Sequence, residues 1–371
     1  MTKLPTSLLR ETALEAGFDL MGLGPARVPL QARQSLEKWI ENGSHGEMAW
    51  LQRNRQVLVD PRLFLPGAQT VLSLALNYGR PREPLDGAQI ARYAQGRDYH
   101  RSFKAKMKKF LPLLHKLGLK REEYRAGVDA VPLLERSLAE GAGIGFRAKS
   151  TGIIHPYVGP WLLLGELLLR GEAEPSIPPP GSCGTCTACL DACPTGALTQ
   201  PGVLDARLCI SYTTIELRGP IPPSLREAQG NWLFGCDICI EVCPYSSRQG
   251  ARTDDPDLHT HPALETYDLL MILACDEEQW NRDWTGTAIR RARREGLRRN
   301  AAIVLGNLGR EDAAPLLERA LQDADAGLRT AAAYALGKIG MGRKALEKAT
   351  QKEEDPHLRA DLLASLEASI H

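Results

Sequence analysis

The sequence predicts a multi-domain chain of mixed α/β and all-α structure: an α/β domain, then a small cysteine-rich domain, then an α-solenoid. Three observations support this fold class. Short apolar runs alternate with helical patterns in the first half of the 371 residues, all but one of the nine cysteines lie in one central segment, and similar helical segments recur in the last third. We expect domains at residues 1–175, 176–250 and 251–371.

The first domain is predicted from its changing periodicity. Residues 8–49 have mostly helical apolar spacing, whereas the short apolar run at residues 71–76 favours a buried strand. A second strand-like apolar run lies at residues 161–169. The proline-rich stretch at residues 175–180 then indicates a linker at the end of the domain.

Asp129 lies at the predicted start of a helix. An aspartate followed by Pro132 is typical of an N-terminal cap with proline in the first turn. On local grounds we therefore interpret Asp129 as a capping residue. The glycine-rich turn at residues 141–145 lacks the preceding strand and the spacing of a dinucleotide-binding loop, so it is a weak candidate for a phosphate site.

The cysteine-rich segment carries the strongest chemical signal. It contains a C-x-x-C-x-x-C-x-x-x-C-P run, a lone cysteine and a C-x-x-C-x-x-x-C-P run. The first run has the spacing of bacterial ferredoxins, in which three cysteines bind one iron–sulfur cluster and the fourth binds a second cluster. We therefore predict two 4Fe-4S clusters, one held by Cys183, Cys186, Cys189 and Cys243 and the other by Cys193, Cys209, Cys236 and Cys239.

Two alternatives use the same residues. Disulfides require an oxidising compartment, and nothing at the N-terminus resembles an export signal. Zinc sites often use paired C-x-x-C units, but they give no reason for the third cysteine or for the proline after each run. Iron–sulfur ligation in the cytoplasm is therefore the prediction that we carry forward.

The overall charge and hydropathy limit the classes of partner. A formal net charge of +1 gives no global field, so a nucleic-acid surface would have to be a local patch. The longest apolar run is interrupted and far too short to span a bilayer, so we expect no membrane partner.

The last third has an internal repeat. Residues 297–309 align with residues 328–340, which gives a period of about 31 residues, and a degenerate third copy starts at Leu358. This pattern predicts a HEAT-like α-solenoid, which serves either as a surface for a macromolecule or as a structural cap. Cys275 stands alone in an apolar helical setting and is interpreted as a core residue.

A cluster of arginines precedes the repeat. Glu295 alone is near enough in sequence to neutralise it, so a nucleic-acid surface is favoured over a salt-bridged helix face. The predicted nucleic-acid-binding residues are Arg290, Arg291, Arg293, Arg294, Arg298 and Arg299.

Taken together, these motifs resemble those of epoxyqueuosine reductases over nearly the whole chain. The first and second cysteine runs are part of this resemblance. The other matching stretches are residues 92–94, 96–100, 128–129, 132, 134–136, 164–167, 194–197, 205–207, 209–212, 214–216, 235–237 and 306–307.

The resemblance implies a cofactor, a substrate and an acid. It implies a cobalamin beside the two clusters in an α/β cobalamin-binding domain, and reduction of epoxyqueuosine to queuosine at the wobble position of a tRNA anticodon. It places a proton-donating aspartate at Asp129, which replaces the capping interpretation, and we expect its pKa to be raised by burial or by the corrin. The implied cobalamin contacts are Arg53, Tyr93, Asp129, Ile153, Leu164, Ser211, Cys236 and Asp237.

Two rival functions remain open on the sequence. A corrinoid-dependent reductase of a small molecule would leave the arginine cluster and the solenoid without a role. A ferredoxin-like electron carrier would leave the first 175 residues without one. The favoured function also implies an external electron donor, and we expect a monomer.

Overall fold

The computed structural model of the chain describes residues 3–81, 84–247 and 255–369. The predicted boundary between residues 250 and 251 lies outside these ranges. The described residues form a mixed α/β part, a cysteine-rich part and a helical stack, as the sequence predicts. The described helices include none that is long and apolar enough to cross a membrane.

The strands are short except in one sheet. In chain order they are β1 Lys3–Leu4, β2 Leu20–Pro25, β3 Thr70–Asn77, β4 Gln89–Ile90, β5 Tyr124–Gly127, β6 Phe146–Arg147, β7 Ile153–Ile154, β8 Leu162–Leu169, β9 Glu172–Ala173, β10 Leu198–Gln200, β11 Val203–Leu204 and β12 Trp232–Phe234. An antiparallel four-stranded sheet of order β2-β3-β8-β5 organises the N-terminal half. Strand β3 is buried along its whole length, which explains its continuous apolar sequence.

The prediction of mostly helical structure over residues 8–49 is wrong for strand β2. This strand contains Gly22 and Gly24, which lower strand propensity and conceal it in the sequence. The glycines are required by packing. A Cβ atom on Gly22 would lie 2.1 Å from the carbonyl oxygen of Ala142, and one on Gly24 would lie 2.4 Å from that of Gly141. A helix end therefore lies directly on the strand.

Helices cover both faces of this sheet. They are α1 Thr6–Glu15, α2 Leu30–Glu41, α3 Ala49–Arg53, α4 Arg55–Val59, α5 Tyr99–Lys116 and α6 Glu135–Gly141. On one face, Leu9 of α1 and Phe103 and Phe110 of α5 form a fully buried apolar cluster with the strands. On the other face, Leu138 of α6 packs against Leu168 of β8. The result is a three-layer α/β/α arrangement.

The cysteine-rich part is built from single-turn helices and short strands. Its helices are α7 Ala188–Asp191, α8 Ile210–Ile215, α9 Pro223–Arg226, α10 Ile238–Glu241 and α11 Pro244–Ser247. Strand β12 pairs in parallel with β4 of the N-terminal half. This pairing fixes the second cysteine run against the segment that follows β4.

The C-terminal part is a stack of helices. They are α12 Pro262–Thr266, α13 Leu269–Ala274, α14 Glu277–Asp283, α15 Arg293–Asn307, α16 Ala314–Ala320, α17 Ala326–Ile339, α18 Arg343–Lys352 and α19 Pro356–Ala368. Equivalent repeat glycines set the packing distance. A Cβ atom on Gly306 would lie 2.7 Å from the Cα of Ala335, and one on Gly337 would lie 2.4 Å from the carbonyl oxygen of Ser365. Successive repeat helices therefore approach backbone to backbone.

The largest apolar core joins all three parts. It contains Ile90 of the N-terminal half, Phe234 of the cysteine-rich part and Leu305 and Leu336 of the helical stack. Cys275 belongs to the same core and is 3% exposed, in agreement with its predicted role. The three-domain division of the chain stays a prediction, and in this structure the three parts share one hydrophobic interior.

Candidate functional site

One group of four thiols combines both cysteine runs. Burial, and then the neighbouring thiols of Cys183, Cys243 and Cys186, raise the pKa of Cys189. Burial and the thiols of Cys183 and Cys186 also raise the pKa of Cys243. Cys243 comes from the second run and the other three from the first, so these neighbours match the crossover that the spacing predicts.

A second group is formed by the remaining thiols. Burial, and then Cys209, raise the pKa of Cys239 to about 12, and Cys189 of the first group and then Cys193 contribute to this shift. Burial, Cys209 and Cys239 likewise raise the pKa of Cys236. Buried thiols with raised pKa values need a nearby positive charge to ionise, and iron in a cluster supplies it. The donor sets therefore fit two 4Fe-4S clusters, and the ligand assignment itself stays a prediction.

The first thiol group lies nearer the surface. Cys186 is exposed, whereas the other cysteines of both groups are partly buried. Lys149 lies against this group: its backbone N–H donates to Cys183 Sγ at 3.4 Å, and its Nζ donates to the carbonyl oxygens of Gly184 and Cys186 at 2.8 and 2.9 Å. The segment between β6 and β7 thus holds the loop of the first run.

Asp237 connects the second thiol group to the N-terminal half. It follows Cys236, is only 2% exposed, and its Oδ2 accepts from the backbone N–H of Arg92 at 2.8 Å. The Arg92 guanidinium donates to Glu241 at 2.8 Å and stacks 4.1 Å above the ring of Trp161. These contacts place the residues after Arg92 beside the second thiol group.

Aromatic rings line the space between this group and Asp129. Tyr93 makes edge contacts with Tyr78 and Tyr99, at centroid distances of 6.5 and 6.0 Å. Burial, and then the carboxylates of Asp129 and Asp237, raise the pKa of Tyr93. Tyr93 therefore stays neutral and lies within electrostatic reach of both carboxylates.

Asp129 belongs to a chain of three polar side chains. Asp98 caps α5 through the backbone N–H of His100, at 3.0 Å, and its Oδ1 lies 2.7 Å from Nδ1 of the same histidine. His100 Nε2 faces Asp129 Oδ2 at 3.6 Å, an ion pair slightly longer than a hydrogen bond. The His100 ring stacks on Tyr99 at 4.2 Å. The imidazole is thus held between two carboxylates.

This arrangement reverses the expected protonation of Asp129. The interaction with His100 lowers the pKa of Asp129 despite partial desolvation, and neighbouring Tyr99 and Arg291 lower it further. In turn Asp129 and then Asp98 raise the pKa of His100 to about 9. The expectation of a raised aspartate pKa is therefore wrong for this structure: near neutral pH the proton is on His100 and Asp129 is ionised.

Asp129 does not cap a helix. Helix α6 begins at Glu135, and its N-cap position is Leu134. Asp129 has φ +46°, and its backbone N–H donates to Glu135 Oε1 at 2.7 Å. Its side chain remains 63% exposed although His100, Tyr99 and Tyr93 are its neighbours. We call the solvent-accessible space beside Asp129 and these rings the cleft.

Beside this cleft the central strand β8 has an incomplete ladder. Strand β5 pairs only with residues 166–169, so residues 162–165 extend beyond that ladder, and Leu162 to Leu164 are partly exposed. Leu164 packs with Ile153 in one apolar cluster. Apolar side chains can pack against a corrin ring, and backbone groups that β5 leaves unpaired can bind the amide side chains of the corrin. The residues present are therefore compatible with a cobalamin.

The other implied cobalamin contacts fall in two places. Ser211 lies in α8 beside the second thiol group, where its hydrogen bond to Cys209 opposes the effect of burial, which raises the pKa of that thiol. Arg53 is exposed at the end of α3. The structure thus groups Tyr93, Asp129 and Asp237, pairs Ile153 with Leu164, and leaves Arg53 at a surface position.

The six predicted tRNA-binding arginines do not form one patch. Arg299 is only 2% exposed, and its guanidinium donates to the carbonyl oxygens of Thr213, Leu217 and Gly219 at 2.6 to 3.0 Å. The prediction of tRNA contact is therefore wrong for Arg299, because this side chain joins α15 to the cysteine-rich part.

Three more of these arginines are bonded within the helical part. Arg298 donates to Leu273 O and Asp323, and Arg294 donates to Cys275 O and pairs with Glu277 and Glu295. Arg290 donates to Thr285 and Asn281.

Arg291 and Arg293 are exposed and have a third arginine beside them. Arg291 pairs with Glu216 at 2.8 Å. Burial, and then the charges of Arg293 and Arg291, lower the pKa of Arg218. The Arg218 guanidinium donates to the carbonyl oxygens of Ala292 and Arg291 at 3.1 and 3.0 Å, and the charge of Arg291 lowers the pKa of Asp129. Arg218 was not predicted from the sequence, because its arginine neighbours are distant in the chain. We call Arg218, Arg291 and Arg293 the arginine triplet.

Three family profiles match the chain. A profile described as "4Fe-4S double cluster binding domain" matches residues 182–246, and one described as "HEAT repeats" matches residues 283–367. A profile described as "Epoxyqueuosine reductase QueG, DUF1730" matches residues 59–130. The first two agree with the predicted two-cluster and repeat segments.

Curated relatives are similar over most of the chain. The epoxyqueuosine reductase of Synechococcus sp. (strain CC9605) is 39% identical over 310 residues, which cover 81% of this chain and 94% of the relative. That of Vibrio cholerae is 38% identical and covers 81% of this chain and 82% of the relative. That of Xanthomonas campestris is 37% identical over 342 residues, covering 90% and 96%.

Solved structures are similar over 98% of both chains. One is a crystal structure of an epoxyqueuosine reductase with a tRNA-Tyr epoxyqueuosine-modified stem loop, with a TM-score of 0.88 and 30% identity. Another is the Bacillus subtilis epoxyqueuosine reductase with its aspartate catalytic loop swung out of the active site, with a TM-score of 0.86 and 31% identity.

Proposed function

The chain belongs to the epoxyqueuosine reductase family, an oxidoreductase family, and from that premise we propose that it reduces epoxyqueuosine to queuosine at the wobble position of a tRNA anticodon. One observation carries the proposal. Tyr93 lies between a buried thiol group, reached through Asp237, and a charged His100–Asp129 pair. The group that would supply electrons, the second thiol group, and the pair that would supply a proton, His100 and Asp129, are therefore near the same cleft.

The reaction sets what the site must provide. Both C–O bonds of the epoxide break, a carbon–carbon double bond forms, and the oxygen leaves as water. Two electrons and two protons are consumed. A reduced corrinoid supplies the strong nucleophile and single-electron chemistry that such a step needs, and 4Fe-4S clusters supply low-potential electrons. The residues that would hold the corrinoid are Tyr93, Asp129, Ile153, Leu164, Ser211, Cys236 and Asp237, and the family resemblance adds Arg53.

His100 and Asp129 act together on the leaving oxygen. His100 carries a proton at neutral pH, because Asp129 and Asp98 raise its pKa to about 9. Asp129 is the exposed member of the pair and points into the cleft, so it is the group that contacts the substrate. As the oxygen acquires negative charge, a proton passes from His100 Nε2 through the Asp129 carboxylate to that oxygen, and Asp98 stabilises the histidine throughout.

Electrons enter from an external donor at the first cluster. Its loop contains the exposed Cys186, whereas Cys239 and Cys236 of the second group are packed beside Asp237 and Tyr78. The second cluster is therefore the one that faces the cleft. We propose that the protein acts as a monomer in the cytoplasm, where the tRNA substrate is found.

The arginine triplet supports the proposed tRNA contact. Arg291 and Arg293 are exposed, whereas Arg218 is half-buried and bonded to backbone carbonyl oxygens, and Arg291 pairs with Glu216. Arg293 is therefore the member most available to a phosphate. Such groups bind phosphates with a salt-dependent affinity. We propose that Arg290, Arg294 and Arg298 contribute mainly to the positive electrostatic potential around the tRNA, because their side chains are bonded within the helical part.

Residues 128–134 form the catalytic loop in this proposal. In the Bacillus subtilis relative, the aspartate catalytic loop has been captured swung out of the active site. We infer that the Asp129 loop likewise has an inward and an outward position, and that Asp129 reaches His100 only in the inward one.

The test uses protein purified without oxygen. Its absorption spectrum should show corrin bands together with iron–sulfur absorption, and incubation with a reductant and epoxyqueuosine-containing tRNA should yield queuosine on nucleoside analysis. Iron–sulfur absorption without corrin bands would favour the electron-carrier alternative. Both cofactors without conversion of the tRNA would favour a small-molecule reductase.

A further inference from the structure

We propose that Glu135 is a positioning residue that holds the Asp129 loop in its inward conformation through the Oε1 atom of its side chain. The proposal rests on the proposed role of Asp129, and concerns how that residue is kept in place. Glu135 itself touches neither His100 nor the substrate side of the cleft by any hydrogen bond found in the described residues, and it acts through the Asp129 backbone.

The loop needs such a restraint. Asp129 adopts φ +46°, a left-handed conformation that non-glycine residues rarely adopt. Its carboxylate and the following Ala130 are exposed. The bond from the Asp129 N–H to Glu135 Oε1, at 2.7 Å, crosses the base of the loop and closes it onto the first turn of α6.

Beneath Glu135 lies a second acid. Glu166 is fully buried at the register position opposite Gly127, where β5 ends and the loop begins. Its Oε1 accepts from the Ser73 hydroxyl at 2.9 Å. Strand β8, which carries Glu166, is paired along its whole length with β3, and α6 packs against it.

The charges around Glu135 favour its neutral form. Burial raises its pKa to about 8, the Asp129 carboxylate acts in the same direction, and the Asp129 N–H, Arg136 and His100 act against it. Burial and Glu135 also raise the pKa of Glu166. A neutral Glu135 can lie beside an ionised Asp129 without repulsion, so its acceptor oxygen matters and its charge does not.

If the acceptor oxygen of Glu135 matters and its charge does not, the two conservative substitutions of Glu135 should differ in their effect. Glu135→Gln keeps the side-chain length and a carbonyl acceptor but removes any charge. Glu135→Asp keeps the acid but is one methylene shorter, so its oxygen falls short of the Asp129 N–H. If Glu135 only supplied negative charge, the aspartate variant would be the better replacement, and we expect the opposite.

The experiment is hydrogen exchange at the Asp129 amide in the full chain with its cofactors and without tRNA. We expect Glu135→Asp to lower protection of this amide about tenfold, the equilibrium effect of one lost hydrogen bond, and Glu135→Gln to keep it within about threefold. Glu140→Gln is the matched control, because Glu140 is an exposed acid on the same helix.

Equal protection in wild type and Glu135→Asp would overturn the proposal, as would equal losses in the aspartate and glutamine variants. If Glu135→Asp also loses protection in the β5–β8 ladder, the glutamine variant decides. Retained protection of the Asp129 amide in Glu135→Gln supports the role of the Glu135 oxygen, and lost protection contradicts it. A turnover assay adds a second readout. The aspartate variant should lower kcat more than it raises KM, because the loop acts after binding.

The exchange measurement does not depend on turnover. If wild-type protein fails to convert epoxyqueuosine in tRNA, the proposed function fails while the loop result still stands. If wild type converts the substrate and both variants show wild-type protection, the proposed function stands and the role of Glu135 is lost.

Discussion

Replacing His100 by glutamine tests the proton source of the proposed reaction. The pKa of His100 is raised from 6.5 to about 9, chiefly by Asp129 and then by Asp98. The difference corresponds to at most about 3 kcal/mol of stabilisation of the charged ring, because solvent screens its interaction with the largely exposed Asp129. Because the folded pKa lies above the unfolded one, this stabilisation is complete below pH 6.5 and is lost as the pH rises through about 9.

His100→Gln removes the charge at every pH and keeps a side chain of similar reach. We expect kcat/KM at neutral pH to fall about 100-fold, within the usual range for a general acid. We also expect the pKa of Asp129 to rise, because its largest stabilising partner has lost its charge. The assay is the pH dependence of kcat/KM for epoxyqueuosine-containing tRNA, which reports groups of the free enzyme.

In wild type, kcat/KM should decline as the pH passes about 9, and His100→Gln should not show this decline. His115→Gln is the control, since His115 bonds to Tyr124 at the far end of α5. A His100→Gln variant within about threefold of wild type, or a wild-type profile that stays flat through pH 9, would refute the assignment of the proton to His100.

Further predictions concern the acid, the clusters and the arginines. Asp129→Asn should keep both cofactors bound and slow epoxide loss at least about 100-fold, and near-normal turnover would remove Asp129 as the group that relays the proton to the oxygen. Cys209→Ala should damage one cluster, so an iron content that stays near about eight per chain would contradict the ligand assignment. Arg299→Ala should lower the free energy of unfolding by about 3 to 5 kcal/mol in denaturant titrations, because three buried carbonyl oxygens lose their donor. Arg293→Ala should instead preserve stability but weaken tRNA binding and flatten its salt dependence, and unchanged affinity would place the RNA surface elsewhere.

The cysteine pattern was predictable from the sequence because cluster ligation is largely a matter of local spacing. The thiols near Cys189 are Cys183 and Cys186 from the same run and Cys243 from the second run, which is the grouping that the spacing predicts. The repeat was predictable for the same reason, since Gly306 and Gly337 recur at the points where successive helices approach.

Long-range partners explain what the sequence did not show. Arg299 looked like part of a basic surface, but its carbonyl acceptors lie about 80 residues earlier, in α8 and in the turn after it. The local pattern around Asp129 predicted a helix cap, whereas the helix starts at Glu135. The protonation of Asp129 depends on His100, which reaches it from another element. In each case the deciding contact joins segments far apart in the chain.

The most direct measurement follows the epoxide oxygen itself. Epoxyqueuosine in tRNA would be labelled with heavy oxygen in the epoxide and incubated with the reduced protein, and both the nucleoside and the water would be analysed by mass spectrometry. Reductive removal predicts a nucleoside lighter by the mass of the labelled oxygen, with the label recovered in water. A nucleoside that retains the label, either unchanged or opened by addition of water, would contradict the proposed reaction.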